Sequence, residues 1–311
     1  MADKSLRGHS SLFAAYVIFG LNTPIAKAIF LNEESISAIA LTFYRMAGAA
    51  ILFWIASVFV KRERVAGRDI LMLFFASMFG ILINQTAFIT GLSLTSPIDA
   101  SIIATIGPIL TMLLAAIFLK EPITWKKALG VLIGATGAIL LIMHHDDITS
   151  IRGGASVKGN LLCILSSLSF AFYLTLFKPV ISKYSSVTVM KWMFLFAAVC
   201  SIPIGWKHIT AVDYGGLSTE MWLRILFVVV MATFVAYLFI PAGQRLLRPT
   251  VVSMYNYLQP LVSSLVAVAL GMGTFGWEKM GAAVLIFLGV YIVIHSKSRA
   301  QLEADSSTSK S

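Results

Sequence analysis

The chain has 311 residues, 58% of them hydrophobic and only 12% charged. Soluble domains average about 45–50% apolar and about 25% charged, so this composition excludes a water-facing globule and points to a polytopic membrane protein. A net charge of +10 does not point to nucleic acid, because the cations are spread between apolar runs and fall mostly on one side of them.

A spanning helix needs roughly 20 mostly apolar residues. Ten runs qualify, at 11–31, 36–60, 69–91, 98–119, 125–143, 158–181, 187–206, 220–243, 250–271 and 276–296. They are continuous rather than alternating, which excludes a β-barrel. Lys4 and Arg7 precede the first run, but Asn22, Pro24 and Lys27 interrupt it and no small-residue cleavage site follows. It reads as an uncleaved helix rather than a signal peptide. The second run carries Arg45 well inside it, and Lys61, Arg62, Arg64 and Arg68 crowd the loop after it. The fourth contains "SPIDASIIATIGPIL", Ser96 to Leu110, with a proline near its middle; Lys120, Lys126 and Lys127 lie between it and the fifth. A polar joint, "HHDDITSIRGGASVKG", separates the fifth and sixth runs, and its histidines and aspartates lack metal-ligand spacing. The ninth repeats the fourth's pattern in "RPTVVSMYNYLQPLV", Arg248 to Val262. The tail, 300–311, is polar, Ser-rich and expected to be disordered. With a cytoplasmic N-terminus, 17 of the 24 Lys and Arg fall in cytoplasmic segments, so both termini are expected there. Cys163 and Cys200 lie within runs and give no disulfide framework.

The chain matches itself at an offset of 152. Gly91 meets Gly243, Pro97 meets Pro249, Ser101 meets Ser253, Pro108 meets Pro260, Trp125 meets Trp277 and Gly137 meets Gly289. Earlier in each half the offset is 151: Phe19 meets Phe170, Lys27 meets Lys178 and Ser35 meets Ser186. A duplicated unit of five spans follows, in 1–143 and 158–299, with a linker at 144–157. Because five is odd, the second copy enters the membrane from the opposite side. The expected fold is all-α, ten transmembrane helices in two inverted five-helix repeats, which suits alternating access to a site at the membrane midplane.

Pro108 and Pro260 lack an N–H and should bend their helices, freeing the carbonyls of Ala104 and Asn256. They are either hinges of a central chamber or static packing kinks. Polar residues at depth are costly and turn inward. The offset pairs Asn22 with Tyr173, Gln85 with Tyr237 and Thr105 with Tyr257. With Ser101, Ser253 and Asn256 these are the candidate cavity residues, and interhelical bonding without a ligand is the alternative. Lys27 and Arg45 are the charged candidates; both can instead snorkel or meet carbonyls. Gly130, Gly134 and Gly137 form a small stripe expected to serve helix packing. Asp69, Asp99, Glu121, Glu220 and Glu278 all fall at span ends, so a carboxylate proton relay has no carrier. No catalytic, metal or cofactor motif is legible.

"LSLTSPIDASIIATIGPILTMLLAAIFLKEPITWKKALGVLIGATGAILL" resembles the fourth and fifth helices of EamA-type transporters of the drug/metabolite transporter superfamily. "FGLNTPIAKAIF" and "LTFYRMAGAAILF" resemble that family's first two helices. One departure is that Glu121 matches the family's acidic residue, whereas its equivalent is Gly273. The resemblance and the repeat imply an exporter or exchanger of small polar or amphipathic metabolites, amino acids or related compounds. Such a protein is not an enzyme, needs no cofactor, binds a small metabolite and the lipid bilayer but no nucleic acid, and works as a monomer or an oligomer in a bacterial inner membrane. A non-transporting receptor or scaffold and an intramembrane lipid-modifying enzyme are the rival readings.

Overall fold

The computed structural model describes residues 2–32, 36–94, 103–143, 157–269 and 277–297. Every regular element among them is helical. In chain order they are α1 (Ala2–Asn32), α2 (Ala38–Ala56), α3 (Gly67–Ser77), α4 (Asn84–Leu94), α5 (Gly107–Phe118), α6 (Trp125–Met143) and α7 (Val157–Leu176). There follow α8 (Lys178–Ile181), α9 (Ser186–Thr210), α10 (Thr219–Val229), α11 (Ala236–Leu246), α12 (Pro249–Met254), α13 (Leu258–Ala269) and α14 (Trp277–Ile294). Local chemistry sets several starts. The hydroxyls of Ser37, Ser185 and Ser218 cap α2, α9 and α10 by accepting from the N–H groups of Ala40, Thr188 and Met221, satisfying donors that a helix cannot satisfy itself. Pro108, Pro179 and Pro249 stand in the first turns of α5, α8 and α12, where a missing N–H does no harm.

Two joins are not breaks. A π-helical segment, Met78–Ile83, links α3 to α4, and a second, Val230–Val235, links α10 to α11. They stand 152 residues apart, at equivalent positions in the sequence. A π turn bonds i to i+5 and leaves the local ladder out of step. Neighbours take up the slack: Ser169 Oγ donates to Phe79 O at 2.7 Å, and Ser166 Oγ to Asn84 O at 2.8 Å.

Five helical stretches among the described residues are long and apolar enough to cross a membrane: Ala38–Ala56, Gly67–Gly91, Val157–Leu176, Ser186–Thr210 and Thr219–Leu246. Gly107–Leu119 and Met280–Ile294 are apolar but shorter. Large apolar side chains cover the outside, with Ile51, Ile117, Leu161, Leu223 and Val284 all more than half exposed. A surface like this belongs in lipid, and the protein is an integral membrane protein. The expected sixth span, 158–181, is interrupted at Phe177, because Pro179 cannot donate to the carbonyl four residues back.

The dominant pairings are α6 with α14, α2 with α9, α4 and α5 with α7, and α11 and α13 with α1. The glycine stripe makes the first possible. A Cβ on Gly130 would lie 2.9 Å from Gly289 O, and one on Gly137 would lie 2.7 Å from Ala282 O. Backbone meets backbone there, as expected for small residues at a membrane helix interface.

Candidate functional site

The centre of the bundle gathers a polar cluster from α1, α2, α4, α7, α11 and the second π segment. Arg45, on α2, donates from Nε to Thr233 Oγ1 at 2.9 Å. Thr233 passes its own proton to Val228 O, five residues back, at 2.8 Å. The π turn therefore presents an oxygen that holds the guanidinium. The observed ion pairs join Lys127 to Glu121, Lys183 to Asp69 and Arg224 to Glu220. None involves Arg45. Tyr237, one turn beyond Thr233, is near enough to Arg45 to interact with its charge.

Gln85 on α4 donates from Nε2 to Tyr237 Oη at 2.9 Å. Aromatic rings wall this pair. Phe194 and Phe19 stand edge-on to Tyr237 with centroids 5.1 and 5.7 Å away, and Tyr16 meets Phe19 at 5.7 Å. Tyr173 lies flat against the first π segment, where a Cβ on Gly80 would be 2.6 Å from its ring. Three buried atoms of this cluster, Tyr16 Oη, Gln85 Oε1 and Tyr173 Oη, have no hydrogen-bond partner, nor has Asn22 Oδ1 further along α1. Each such atom costs about 1–3 kcal/mol when buried dry. The same condition holds at Gln244 Oε1 and Thr250 Oγ1, outside this cluster.

Of the sequence-derived candidates, Gln85, Arg45, Tyr173 and Tyr237 come together here, and Asn22 stands on α1 with a buried, unpartnered Oδ1. A second set does not. Tyr257 is fully buried, with its hydroxyl donating to Thr105 O at 3.0 Å. Its ring lies on Gly134, where a Cβ would stand 2.8 Å away. Ser253 is also fully buried and donates to Thr250 O at 2.9 Å within its own helix. Thr105 and Tyr257 thus join two helices, Ser253 bonds within its own, and Asn256 accepts from Gln259 Nε2 at 3.4 Å. At both prolines the regular helix is locally interrupted. The chain turns at residues 105–106 and restarts at Gly107 with Pro108 in the first turn, and a 3₁₀ turn, Tyr255–Tyr257, precedes α13 with Pro260 in its first turn. The carbonyl seen to be satisfied across helices is that of Thr105, not of Ala104. Ser101 and the histidine-bearing joint lie outside the described residues, and so does the side chain of Lys27.

Tyr16 and Thr233 were missing from the sequence reading. Tyr16 sits near the start of an apolar run, where tyrosines are at home in the interface, and Thr233 is equivalent to an apolar Ile81. The signal that could have found Tyr16 is its spacing to Phe19 along one face of α1.

At one end of the bundle, charges are matched in detail. Lys127, only 1% exposed, binds Glu121 Oε2 at 2.9 Å. Lys178 Nζ donates to Gln244 O at 2.6 Å and to Leu247 O, capping the end of α11. Arg248 caps α14 through Val293 O and Ile294 O at 3.1 and 3.2 Å. Nearby, Asp69 accepts from Lys183 and Tyr184, and Glu63 accepts from Ser185 N and Oγ. At the opposite end, Ser37 Oγ meets His208 Nδ1 at 3.0 Å and Tyr44 Oη meets Tyr214 Oη at 2.8 Å. Below them α2, α4 and α9 frame a narrow crevice lined by Thr42, Phe43, Thr86 and Ser201, with room for little more than a water molecule.

A model of the EamA-like transporter family matches the chain twice, over residues 6–143 and 157–295. An uncharacterized transporter of Archaeoglobus fulgidus is 25% identical over 270 residues, 87% of this chain and 93% of that protein. The uncharacterized transporter YyaM of Bacillus subtilis is 24% identical, covering 92% and 93%. A Rickettsia bellii protein named as an S-adenosylmethionine uptake transporter is 23% identical over 71% of each chain. A crystal structure with 17% sequence identity superposes with a TM-score of 0.73 over 94% of this chain and 96% of the other, so the two share a fold.

Proposed function

Because this chain belongs to the EamA-like transporter family, we propose that it carries small polar or amphipathic metabolites, amino acids or related compounds, across a bacterial inner membrane by alternating access. In this reading ten helices form two inverted five-helix halves, 1–143 and 158–299, joined by 144–157, with both termini in the cytoplasm. The supporting observations come at the repeat offset. Two π segments are 152 residues apart, α4 and α5 pack on α7 as α11 and α13 pack on α1, and the family matches each half separately. Sidedness is consistent too. Contacts among 63–69, 121–127, 178–185 and 244–248 join segments assigned to the cytoplasmic side, and the Ser37–His208 and Tyr44–Tyr214 contacts join outer ones.

The observation that carries the reading is the hydrogen bond between Gln85 and Tyr237, residues equivalent in the two halves. Equivalent residues can touch only beside the axis that relates them. This contact, like that of Tyr257 with Thr105, supports a two-fold relation between the halves, and it lies in the cluster of unpartnered polar atoms, as a midplane site would. Pro108 and Pro260 are the flexing points in this mechanism. With no carboxylate among the cluster's residues, transport runs down the substrate gradient and needs no proton gradient. The test is flux in proteoliposomes, with a panel of labelled L-amino acids and, given the Rickettsia relatives' name, S-adenosylmethionine. Saturable counterflow of at least one compound without an imposed pH gradient is expected. Accumulation only under a pH gradient overturns the downhill mechanism, and no flux of any compound by folded protein overturns the transporter reading for these classes.

A further inference from the structure

The guanidinium of Arg45 has no anionic partner among the described residues, and its position asks for one. Arg45 lies in the middle of α2 and is partly buried there. Arginine stays charged in proteins, and a charge taken from water without a partner is strongly destabilising. The side chain is nevertheless held in one place, because Nε donates to Thr233 Oγ1. That contact uses only the inner nitrogen. The two terminal nitrogens, which form the fork suited to a carboxylate, have no acceptor among the described residues. Tyr237 is no substitute anion: it is a phenol in apolar surroundings, and its oxygen already accepts from Gln85.

The rest of the cluster complements an anion. The phenolic hydroxyls of Tyr16 and Tyr173 are free donors, while Asn22 Oδ1 and Gln85 Oε1 are free acceptors, all buried and unpartnered. The rings of Phe19, Phe194 and Tyr237 wall the cluster and keep it largely apolar around these groups. Donors with a fixed positive fork, acceptors and aromatic rings within one cluster describe a receptor for a zwitterion. Resting on the transporter reading, we propose that Arg45 is the carboxylate receptor of the substrate site. The substrate class is then a small organic carboxylate bearing an ammonium or similar donor, and Thr233 is a positioning residue that aims the fork. Substrate supplies the missing counter-charge, so the loaded site is electrostatically the more stable form of the chamber.

The test uses the full chain purified in detergent and compares each of a panel of L-amino acids with its C-terminal amide. The amide keeps size, side chain and ammonium but loses the anion. Thermal stabilisation is titrated with each, and flux is measured for the same pairs. The acid form of at least one amino acid should bind roughly tenfold or more tighter than its amide, the scale of a lost charge-assisted hydrogen bond. In Arg45→Gln the acid should lose this advantage, and Arg45→Lys should restore part of it. If Arg45→Gln fails to fold, Thr233→Val keeps the charge and removes only its anchor. It should weaken the acid several-fold and leave the amide unchanged. Equal binding of acid and amide by the wild-type protein overturns the receptor while leaving any observed flux, and with it the transporter reading, intact. Binding of acids without flux does the reverse. No stabilisation by any acid overturns the receptor outright.

Discussion

The central cluster and the end that carries Lys127 hold the same kinds of group under opposite rules. At the end, each charge has an answer: Lys127 has Glu121, Lys178 has the carbonyls of Gln244 and Leu247, and Arg248 has the last carbonyls of α14. In the centre, Tyr16, Gln85 and Tyr173 hold buried polar atoms with no partner, and Arg45 has no anionic partner among the described residues. Satisfied polar groups fasten helices, while unsatisfied ones cost stability; Gln244 Oε1 and Thr250 Oγ1 carry that cost outside the centre as well, but the central set gathers around Arg45. The difference separates structure from function better than polarity alone, since a list of polar residues at depth mixes both.

The sharpest way to break this contrast is to remove one partner at the fastened end. Glu121→Ala strands a lysine that is 1% exposed, and the expected loss is about 3 kcal/mol, the scale for orphaning a buried charge. It is read as a lower thermal midpoint in detergent. A midpoint unchanged from wild type would mean that Lys127 reaches water and the end is not fastened by this pair. The corresponding change in the centre should go the other way. Tyr173→Phe deletes an unpartnered hydroxyl, so stability should stay level or rise by about 1 kcal/mol, while affinity for the transported compound falls. A clear loss of stability would show that the hydroxyl has a structural partner.

The prolines link the two regions. Pro108→Ala and Pro260→Ala add a donor to the first turn of α5 and α13, a position where stability is little affected. If the halves are inverted, the two changes should bias inner and outer accessibility in opposite directions, and the double variant should partly cancel. Labelling of cysteines placed singly at Asn22 and Tyr173 from each side reads the shift. Parallel shifts would assign both prolines to static packing. The smallest effect concerns Glu63. Partial burial opposes its ionisation, but hydrogen bonds from Thr188 and Ser185 outweigh that and hold it below the usual carboxylate range. A depressed folded pKa gives stability that is present above the unfolded value and is lost as pH falls through the folded one. Between about pH 5 and about pH 3 the wild-type midpoint should therefore fall more than that of Glu63→Gln. Equal slopes would discount the contact.

Much of this was readable in the residues. Apolar runs gave the helices, and the offset of 152 paired Gln85 with Tyr237 and Thr105 with Tyr257 before either contact was seen. In these two pairs equivalent residues are also neighbours. Elsewhere the offset names equivalents but not contacts, which is why Thr233 and Tyr16 escaped notice. Tyr257 misled for a different reason. Its hydroxyl looked like a cavity group, yet Gly134 leaves room for the whole ring to bury and a backbone carbonyl takes the proton. Nor does composition announce a π turn: Met78–Ile83 and Val230–Val235 hold ordinary apolar residues, and the extra residue shows only as a phase.

That phase constrains how the chain can change length. Each residue in an α-helix turns the chain by about 100°, so deleting one residue from 78–83 would swing Gln85 through more than a quarter turn about the helix axis. It would leave Tyr237 and face the lipid, and every later residue of α4 would rotate with it. Deletion in 230–235 would displace Tyr237 by the same angle. Loops elsewhere can gain or lose residues without consequence for the centre. These two segments cannot, and a single missing codon in either would break the Gln85–Tyr237 contact while leaving nearly every side chain in the protein unaltered.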